Sequence, residues 1–316
     1  MKKLSLALAT YNEEQNIIDC IESCKRLVDE IVVVDGSSTD KTGELALKAG
    51  ARVIRTQNVP MFHINKQKAI DACEGEWILQ LDADERVTPE LSMEIKKIIS
   101  MSDEEIGKYE SSLKEKKLFE RHQELVQSES SHSTQSGADA HRFSIPRSQP
   151  STAQGPHLHT IASDSLDKPY NAFFIPRLNY FLGGYLRSGG VYPDGVIRLF
   201  RKGKAFLPCK SVHELMEVEG KTGWLANPLI HKDSPTFKRY LERNSRYIDH
   251  LAGEMKENKV KKNMGAFADW VIIKSITTFF SLVVRHKGIL DGWRGVVFAF
   301  FSAIRFSRAY YRYVRS

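Results

Sequence analysis

The chain is short of cysteine, with four in 316 residues, at positions 20, 24, 73 and 209. Cys20 and Cys24 stand at helical spacing. No second pair follows at zinc-finger spacing, which excludes a structural zinc module and a disulfide-stapled scaffold. The four read as reduced, mostly buried thiols of a cytosolic protein. A cleavable leader is not expected either. Met1-Lys2-Lys3-Leu4-Ser5 enters an apolar stretch that stops at Thr10 without a small-residue cleavage site, so no signal peptide is expected. No uncharged apolar run reaches the roughly 20 residues of a bilayer span. The nearest approach, Trp270 to Val284, is shorter and carries Lys274. Apolar residues almost vanish from Ser128 to Gln154, where Ser, His, Gln and Gly dominate. Such a segment cannot bury enough surface to offset its ordering entropy. It reads as a mobile insertion with no catalytic role, and His132, His141, His157 and His159 read as solvated loop residues rather than metal ligands.

What is present is a chain with 41% hydrophobic residues, enough for a sizeable core, and a formal charge of +7. The charge is unevenly placed. Leu251 to Ser316 holds twelve Lys or Arg against four Asp or Glu, an excess of eight that leaves the rest of the chain near neutrality. A basic end of this kind implies an anionic partner.

Residues 3–100 alternate strand and helix patterns. Leu4–Ala9, Glu30–Val34, Ala51–Ile54 and Trp77–Leu81 read as strands. Glu13–Leu27, Asp40–Ala49, Ile64–Cys73 and Pro89–Ile99 read as helices, with Gly50 a natural C-cap. Strands separated by single helices predict a doubly wound, mostly parallel α/β sheet. Such sheets bind ligands at the carboxyl ends of their strands. The pattern breaks over 101–169, with a charged, helix-compatible stretch at Glu104–Val126, and resumes with strands over 170–235. From Phe237 the chain reads as helical. The expected organisation is therefore 1–100, an insertion at 101–169, a second half of the sheet domain at 170–235, and a basic helical region at 236–316.

Three polar motifs sit at predicted strand ends. Thr10-Tyr11-Asn12-Glu13 opens a helix that Asn12 can cap, and the N–H groups there suit a nucleotide. Asp35 ends Val32-Val33-Val34 before Gly36-Ser37-Ser38-Thr39-Asp40. A carboxylate there can accept from a base or a ribose hydroxyl. Asp82 and Asp84 follow Leu79-Gln80-Leu81. In extended backbone, alternate residues face one way, so both carboxylates are expected at one site, as hard oxygen ligands for Mg²⁺ or Mn²⁺.

As a set and in this order, T-Y-N-E, V-V-D-G-S-S-T-D and L-D-A-D-E resemble the nucleotide-sugar-binding half of family 2 glycosyltransferases, which have the GT-A fold and a DxD motif. Phe174-Ile175-Pro176-Arg177, Tyr192-Pro193-Asp194-Gly195-Val196-Ile197-Arg198-Leu199-Phe200-Arg201 and Val212-His213-Glu214 are similar to the bacterial subgroup that includes lipopolysaccharide-core glucosyltransferases. The resemblance covers about 1–100 and 170–250. It implies an inverting, metal-dependent hexosyltransferase that takes a UDP-sugar donor to a glycolipid or cell-envelope glycan acceptor. On that basis Thr10, Asn12, Glu13 and Asp35 would hold the uridine, Asp82 would lie near the ribose or metal, and Asp84 would bind the metal bridging the diphosphate. Lys66 is a candidate phosphate contact, and Gln67 replaces the Asn that often follows a basic residue there. Direct displacement needs a carboxylate to take the acceptor proton, and Asp194 is the candidate, with Glu214 the alternative. His213 and His231 are candidate metal or phosphate contacts, or equally core or strand residues, and His213 is the one carried as a ligand. One of Arg198 and Arg201 is expected to face the donor or an acidic acceptor.

At the basic end, Ile289, Trp293, Val296, Val297, Phe300 and Ile304 fall on one helical face and Arg294, Arg305, Arg308 and Arg312 on another. That pattern suits the headgroup region of an anionic bilayer, and predicts a cytoplasmic protein, peripheral on the inner face of the membrane. Two other classes fit less well. A sugar-phosphate nucleotidyltransferase opens with a Gly-rich basic loop, which Thr10-Tyr11-Asn12-Glu13 is not. A nucleic-acid-binding protein would interleave basic and aromatic residues on a sheet, so no nucleic-acid partner is expected.

Overall fold

The computed structural model describes residues 3–132, 168–209 and 215–316. The chain forms two compact units. The first is drawn from Met1–Leu125, His159–Arg177 and Pro193–His231, and the second from Val126–Leu158, Leu178–Tyr192 and Lys232–Ser316.

The first unit begins as the sequence predicts. Strand β1 (Leu4–Thr10) leads to helix α1 (Ile17–Cys24), β2 (Glu30–Asp35) to α2 (Thr42–Lys48), and β3 (Arg52–Arg55) to α3 (Phe62–Ala72). Then come β4 (Trp77–Leu81), a two-residue β5 (Glu85–Arg86), α4 (Pro89–Ile98), α5 (Asp103–Ser111) and α6 (Lys116–His132). Helix α1 forms because Ile17, Cys20, Ile21 and Cys24 recur at helical spacing and are all buried. Helix α4 starts where Thr88 accepts from Leu91 N at 3.1 Å and Pro89 takes the first turn. Gly50 ends α2 at a φ of +94°, open to a residue without Cβ.

Later strands complete the sheet: β6 (Tyr170–Ile175), β7 (Arg177–Phe181), β8 (Gly184–Leu186), β9 (Val196–Arg201), β10 (Ala205–Phe206), β11 (Glu217–Val218), β12 (Lys221–Trp224) and β13 (Leu229–Ser234). Among the described residues the main sheet has seven strands in the order β12-β6-β9-β4-β1-β2-β3. β1 runs parallel to β2 and β4, and β2 to β3, while β9 is antiparallel to both β4 and β6. The sheet is thus mostly parallel, as expected. The strand order reverses at β1, with β2 and β3 on one side and β4 on the other, which makes the carboxyl ends of β1, β2 and β4 a topological switch point. Alternation divides the core. Leu6, Leu8, Val33, Leu79 and Leu81 pack against α1 and α4, while Ala7, Val32, Val34, Ile78 and Phe200 pack against α3. Each large buried side chain contributes roughly 1.5–3 kcal/mol.

The insertion departs from the expectation over its first part. α5 opens with a capping box between Ser102 and Glu105. Phe119 of α6 is buried, stacked on Trp224, whose ring also stacks on Phe174. Ile106 of α5, fully buried in the main core, and Phe119 of α6 thus anchor a segment whose composition is otherwise polar. The His- and Ser-rich part, including His141, His157 and His159, lies outside the described residues.

In the second unit β7 and β8 form a hairpin that buries Phe181 and Leu186 against Tyr240. Tyr240 belongs to α7 (Phe237–Glu257), which is followed by α8 (Met264–Arg285) and α9 (Trp293–Arg315). That packing draws 178–192 into this unit and moves the expected boundary at 235. α9 lies on α7 through Ala309, Tyr310 and Tyr313 against Ile248, Leu251 and Met255. α9 opens at Trp293, so Ile289 precedes it, and Val296 and Val297 are half-buried rather than presented outward. Its arginines are partly spent on α7. Arg305 Nε donates to Asn244 Oδ1 at 3.0 Å, and Arg312 pairs with Asp249 and donates to Ser245 Oγ at 2.9 Å. The expected contrast of an apolar face and a free basic face on α9 is therefore corrected: packing on α7 consumes part of both.

Candidate active site

The three motif turns meet at the switch point. Thr10 and Asp35 end the paired strands β1 and β2, and both are buried. Thr10 Oγ1 lies 3.5 Å from Asp35 Oδ1, and Asp35 also accepts from Ser38 Oγ at 2.5 Å and Ser38 N at 3.2 Å. Asn12 adopts a φ of +55°, a region that Asn tolerates better than most residues. Its side chain accepts from Thr39 N at 2.8 Å. It therefore ties the first turn to the second instead of capping α1, where no side-chain cap is formed. Glu13 N donates to Thr42 Oγ1 at 2.7 Å, a second tie between these turns.

The third turn differs from the expected extended backbone. β4 stops at Leu81, and Glu85 N donates to Asp82 O at 2.9 Å, closing a turn over 82–85. Alternation no longer holds across such a turn, and the two aspartates meet different partners. Asp82 Oδ1 is 2.5 Å from Lys66 Nζ, and Asp82 Oδ2 is 2.6 Å from Arg198 Nη2. Burial opposes the charge of Asp82, but Arg198 and Lys66 outweigh it and hold the carboxyl well below its usual range. Asp84 instead lies beside His231, with Asp84 Oδ2 3.6 Å from His231 Nε2. The antiparallel pairing of β13 with β5, with His231 opposite Glu85, brings that imidazole to the turn.

Beyond Asp82 the charges continue in alternation. Arg198 Nη2 also reaches the fully buried Glu85 at 2.8 Å, and Arg198 Nη1 donates to Gln80. Arg177 Nη1 lies 3.6 Å from Glu85, and Arg177 Nη2 lies 2.9 Å from Asp194 Oδ2. Burial works against both guanidiniums. Asp82 and Glu85 more than compensate at Arg198, as do Asp194 and Glu85 at Arg177, so both are held above their ordinary values. The row Lys66–Asp82–Arg198–Glu85–Arg177–Asp194 balances three cations with three carboxylates, which is how such a cluster tolerates burial. It runs from the DxD turn to the candidate base. Asp194 has a φ of +39° and is followed by Gly195, whose N donates to His122 Nε2 at 3.0 Å. A Cβ at Gly195 would lie 2.2 Å from the Trp224 ring, so glycine is required there.

The structure therefore brings together Thr10, Asn12, Glu13 and Asp35, and separately Lys66, Asp82 and Asp194. Lys66 directs its charge to Asp82. Gln67 accepts from Leu207 N at 2.8 Å, a structural use of the residue that departs from the family pattern. His213 and Glu214 lie outside the described residues. Sequence reasoning passed over Glu85, Arg177 and His122. Glu85 was visible as the last acid of Asp-Ala-Asp-Glu, but only the turn shows that it is buried. Of Arg198 and Arg201, Arg198 faces the site, whereas Arg201 pairs with Glu76 at 3.0 Å. Among the described residues no group of three or more His, Cys, Asp or Glu is placed to hold a metal. The donors that fit one are Asp84 and His231, a hard carboxylate and an imidazole.

A family model described as Glycosyl transferase family 2 matches residues 5–153. Over that segment the chain is similar to glycosyl transferase family 2. The doubly wound sheet with its switch point is accordingly of the GT-A type. Similar proteins include an uncharacterised glycosyltransferase of Rickettsia typhi, 38% identical over 107 residues, which are 33% of this chain and 36% of that one. Another is the lipopolysaccharide core biosynthesis glycosyltransferase LpsC of Rhizobium meliloti, 37% identical over 109 residues, 33% of this chain and 40% of that protein. The chain thus spans little more than a third of the length of these relatives. A solved structure, glucosyl-3-phosphoglycerate synthase from Mycobacterium tuberculosis with Mn²⁺ and UDP-glucose, aligns at a TM-score of 0.27 and 26% identity, covering 31% of this chain and 40% of that one.

Proposed function

We propose that the chain transfers a hexose, with inversion, from a UDP-sugar to a glycolipid or cell-envelope glycan acceptor of the lipopolysaccharide-core kind. The observation that carries this reading is the convergence of Thr10, Asp35 and the Asp82–Glu85 turn on the carboxyl ends of β1, β2 and β4, the place where such a sheet receives a nucleotide. Thr10, Asn12, Glu13 and Asp35 form the uridine side, with the base and ribose meeting the linked turns.

Asp84 and His231 are the residues that would hold a divalent cation, Mn²⁺ or Mg²⁺, with the donor diphosphate and water filling the remaining positions. That ion would neutralise charge on the departing diphosphate. Asp82 serves the donor indirectly, by fixing Lys66 and Arg198 at the edge of the site. Asp194 is the candidate base that accepts the acceptor hydroxyl proton as that oxygen attacks the anomeric carbon, and Arg177 orients its carboxylate. Glu214 is the alternative base. The protein would work in the cytoplasm, peripheral on the inner face of the membrane. A screen of nucleotide sugars for hydrolysis tests the reading. A UDP-hexose consumed above all others supports it, and preference for a nucleoside triphosphate with a sugar phosphate would replace it with a nucleotidyltransferase.

A further inference from the structure

Helix α8 is built inside out for water. Its 22 residues include an 18-residue apolar stretch of which 11% is buried. Ile272, Ile273, Ile276, Phe280 and Val284 are 48–66% exposed, and Ile289, Leu290 and Trp293 extend the apolar surface past its end at 56–72%. Two of its small polar side chains point the other way. Thr278 is buried, and Ser275 Oγ meets Ser307 Oγ of α9 at 2.9 Å. On the side of α9 that meets α8, the small residue Ala299 packs against Leu282 and Val283, with Phe279 beside them. Small and hydroxyl residues between helices with large apolar residues outside is the packing of helices in lipid. A contiguous exposed apolar surface of this kind marks an interaction site.

We propose that α8 and the turn after it lie flat in one leaflet of an anionic bilayer, with the Ile273–Ile276–Phe280–Val284 stripe in the acyl boundary. Charge selects this occupant. Lys261 and Lys262 precede α8, and Arg285 and Lys287 follow its apolar stretch, all exposed. A second copy packed along the helix in either direction would set cation against cation, whereas anionic headgroups meet both ends favourably. Lys274, midway along, is paired with Asp269 at 3.3 Å and lies over the Trp270 ring. Length alone would permit a span, at about 33 Å for 22 residues. The partner helix forbids it. Ser307 sits level with Ser275 at the middle of α8, and its neighbour Arg308 is exposed. A span would therefore carry a guanidinium to the bilayer centre, a position that strongly disfavours charge. The proposal deepens the membrane-acceptor part of the reading above and moves the contact from the arginines of α9 to the apolar face of α8.

The test uses the full chain with vesicles of phosphatidylcholine, alone or mixed with phosphatidylglycerol, and neither donor nor acceptor, so its failure would leave the donor chemistry standing. The wild type should sediment with mixed vesicles and stay bound at about 1 M salt, since apolar insertion is not screened as charge pairing is. Ile273→Gln/Ile276→Gln/Phe280→Gln, with unchanged helix content by circular dichroism, should lose at least tenfold in partitioning. An Ile276→Trp variant should be quenched most by lipids brominated near the glycerol. Three results would overturn the proposal: wild-type binding by the triple variant, complete release by salt, or strongest quenching at the bilayer centre. A soluble dimer abolished by the triple substitution would assign the surface to a second copy instead.

Discussion

Nε2 of His231 lies 3.6 Å from Oδ2 of Asp84, joined across the short antiparallel pairing of β13 with β5. Nearly 150 residues of sequence separate the two. Together they offer a hard oxygen and an imidazole nitrogen at the carboxyl edge of the sheet, next to the turn that carries Asp82. His231→Ala should weaken Mn²⁺ affinity in the presence of UDP on the order of tenfold or more, a loss at the scale seen when metal sites lose a supporting group. Titration followed by Mn²⁺ paramagnetic resonance reads this. Equal affinity in the variant would leave His231 a packing residue.

Asp82 links stability to pH. Its carboxyl is held well below the ordinary range by Arg198 and Lys66, against the effect of burial. A depressed carboxylate contributes stability that is fully present above its unfolded pKa, near 3.9, and is lost as pH falls through the folded value. Asp82→Asn should lower stability by about 2 kcal/mol at neutral pH, less than for a fully buried pair because the side chain is 30% exposed. The gap from the wild type should close as pH falls below about 4. Urea midpoints measured along a pH series decide it, and a gap that widens in acid would show that the pairing is not what stabilises the turn.

Asp194 is held by Arg177 at 2.9 Å. As the base, Asp194→Asn should lower kcat on the order of a hundredfold, with donor affinity nearly unchanged, since general base catalysis contributes about 10²–10⁴. If Glu214→Gln gives that pattern and Asp194→Asn does not, the base is Glu214, and the Asp194–Arg177 pair is structural.

Phe119 tests the reach of the insertion. It is buried in a stack with Trp224, next to Phe174. Phe119→Ala should cost about 3–5 kcal/mol, typical for truncating a buried aromatic. Thermal unfolding by calorimetry measures this, and an unchanged midpoint would mean that α6 is dispensable packing.

The alternating strands and helices of the first hundred residues were legible because buried parallel strands leave continuous runs such as Val32-Val33-Val34 and because helix starts and stops carry local signals, as at Thr88-Pro89 and Gly50. The antiparallel placement of β9 was not, since nothing in Val196–Arg201 encodes which neighbour it will pair with. The motif turns could be read as sites, but their wiring could not. That Asp82 and Asp84 part company depends on the turn closed by Glu85 N on Asp82 O, and Arg198 reaches Asp82, and Arg177 Glu85, only through long-range pairing. On α9 the periodicity was read correctly as amphipathic. What the pattern did not reveal was the neighbour, because Asn244, Ser245 and Asp249 of α7 are themselves polar and take up Arg305 and Arg312.

A nucleotide-sugar donor held with a divalent cation at Asp84 is what the proposed reaction requires above all. Its most direct measurement is calorimetric titration of UDP into the wild type and into Asp84→Asn, each with Mn²⁺ and with chelator. UDP binding by the wild type should depend on Mn²⁺, and Asp84→Asn should lose that dependence with the thermal midpoint little changed. Metal-independent UDP binding of equal strength in both proteins would contradict it.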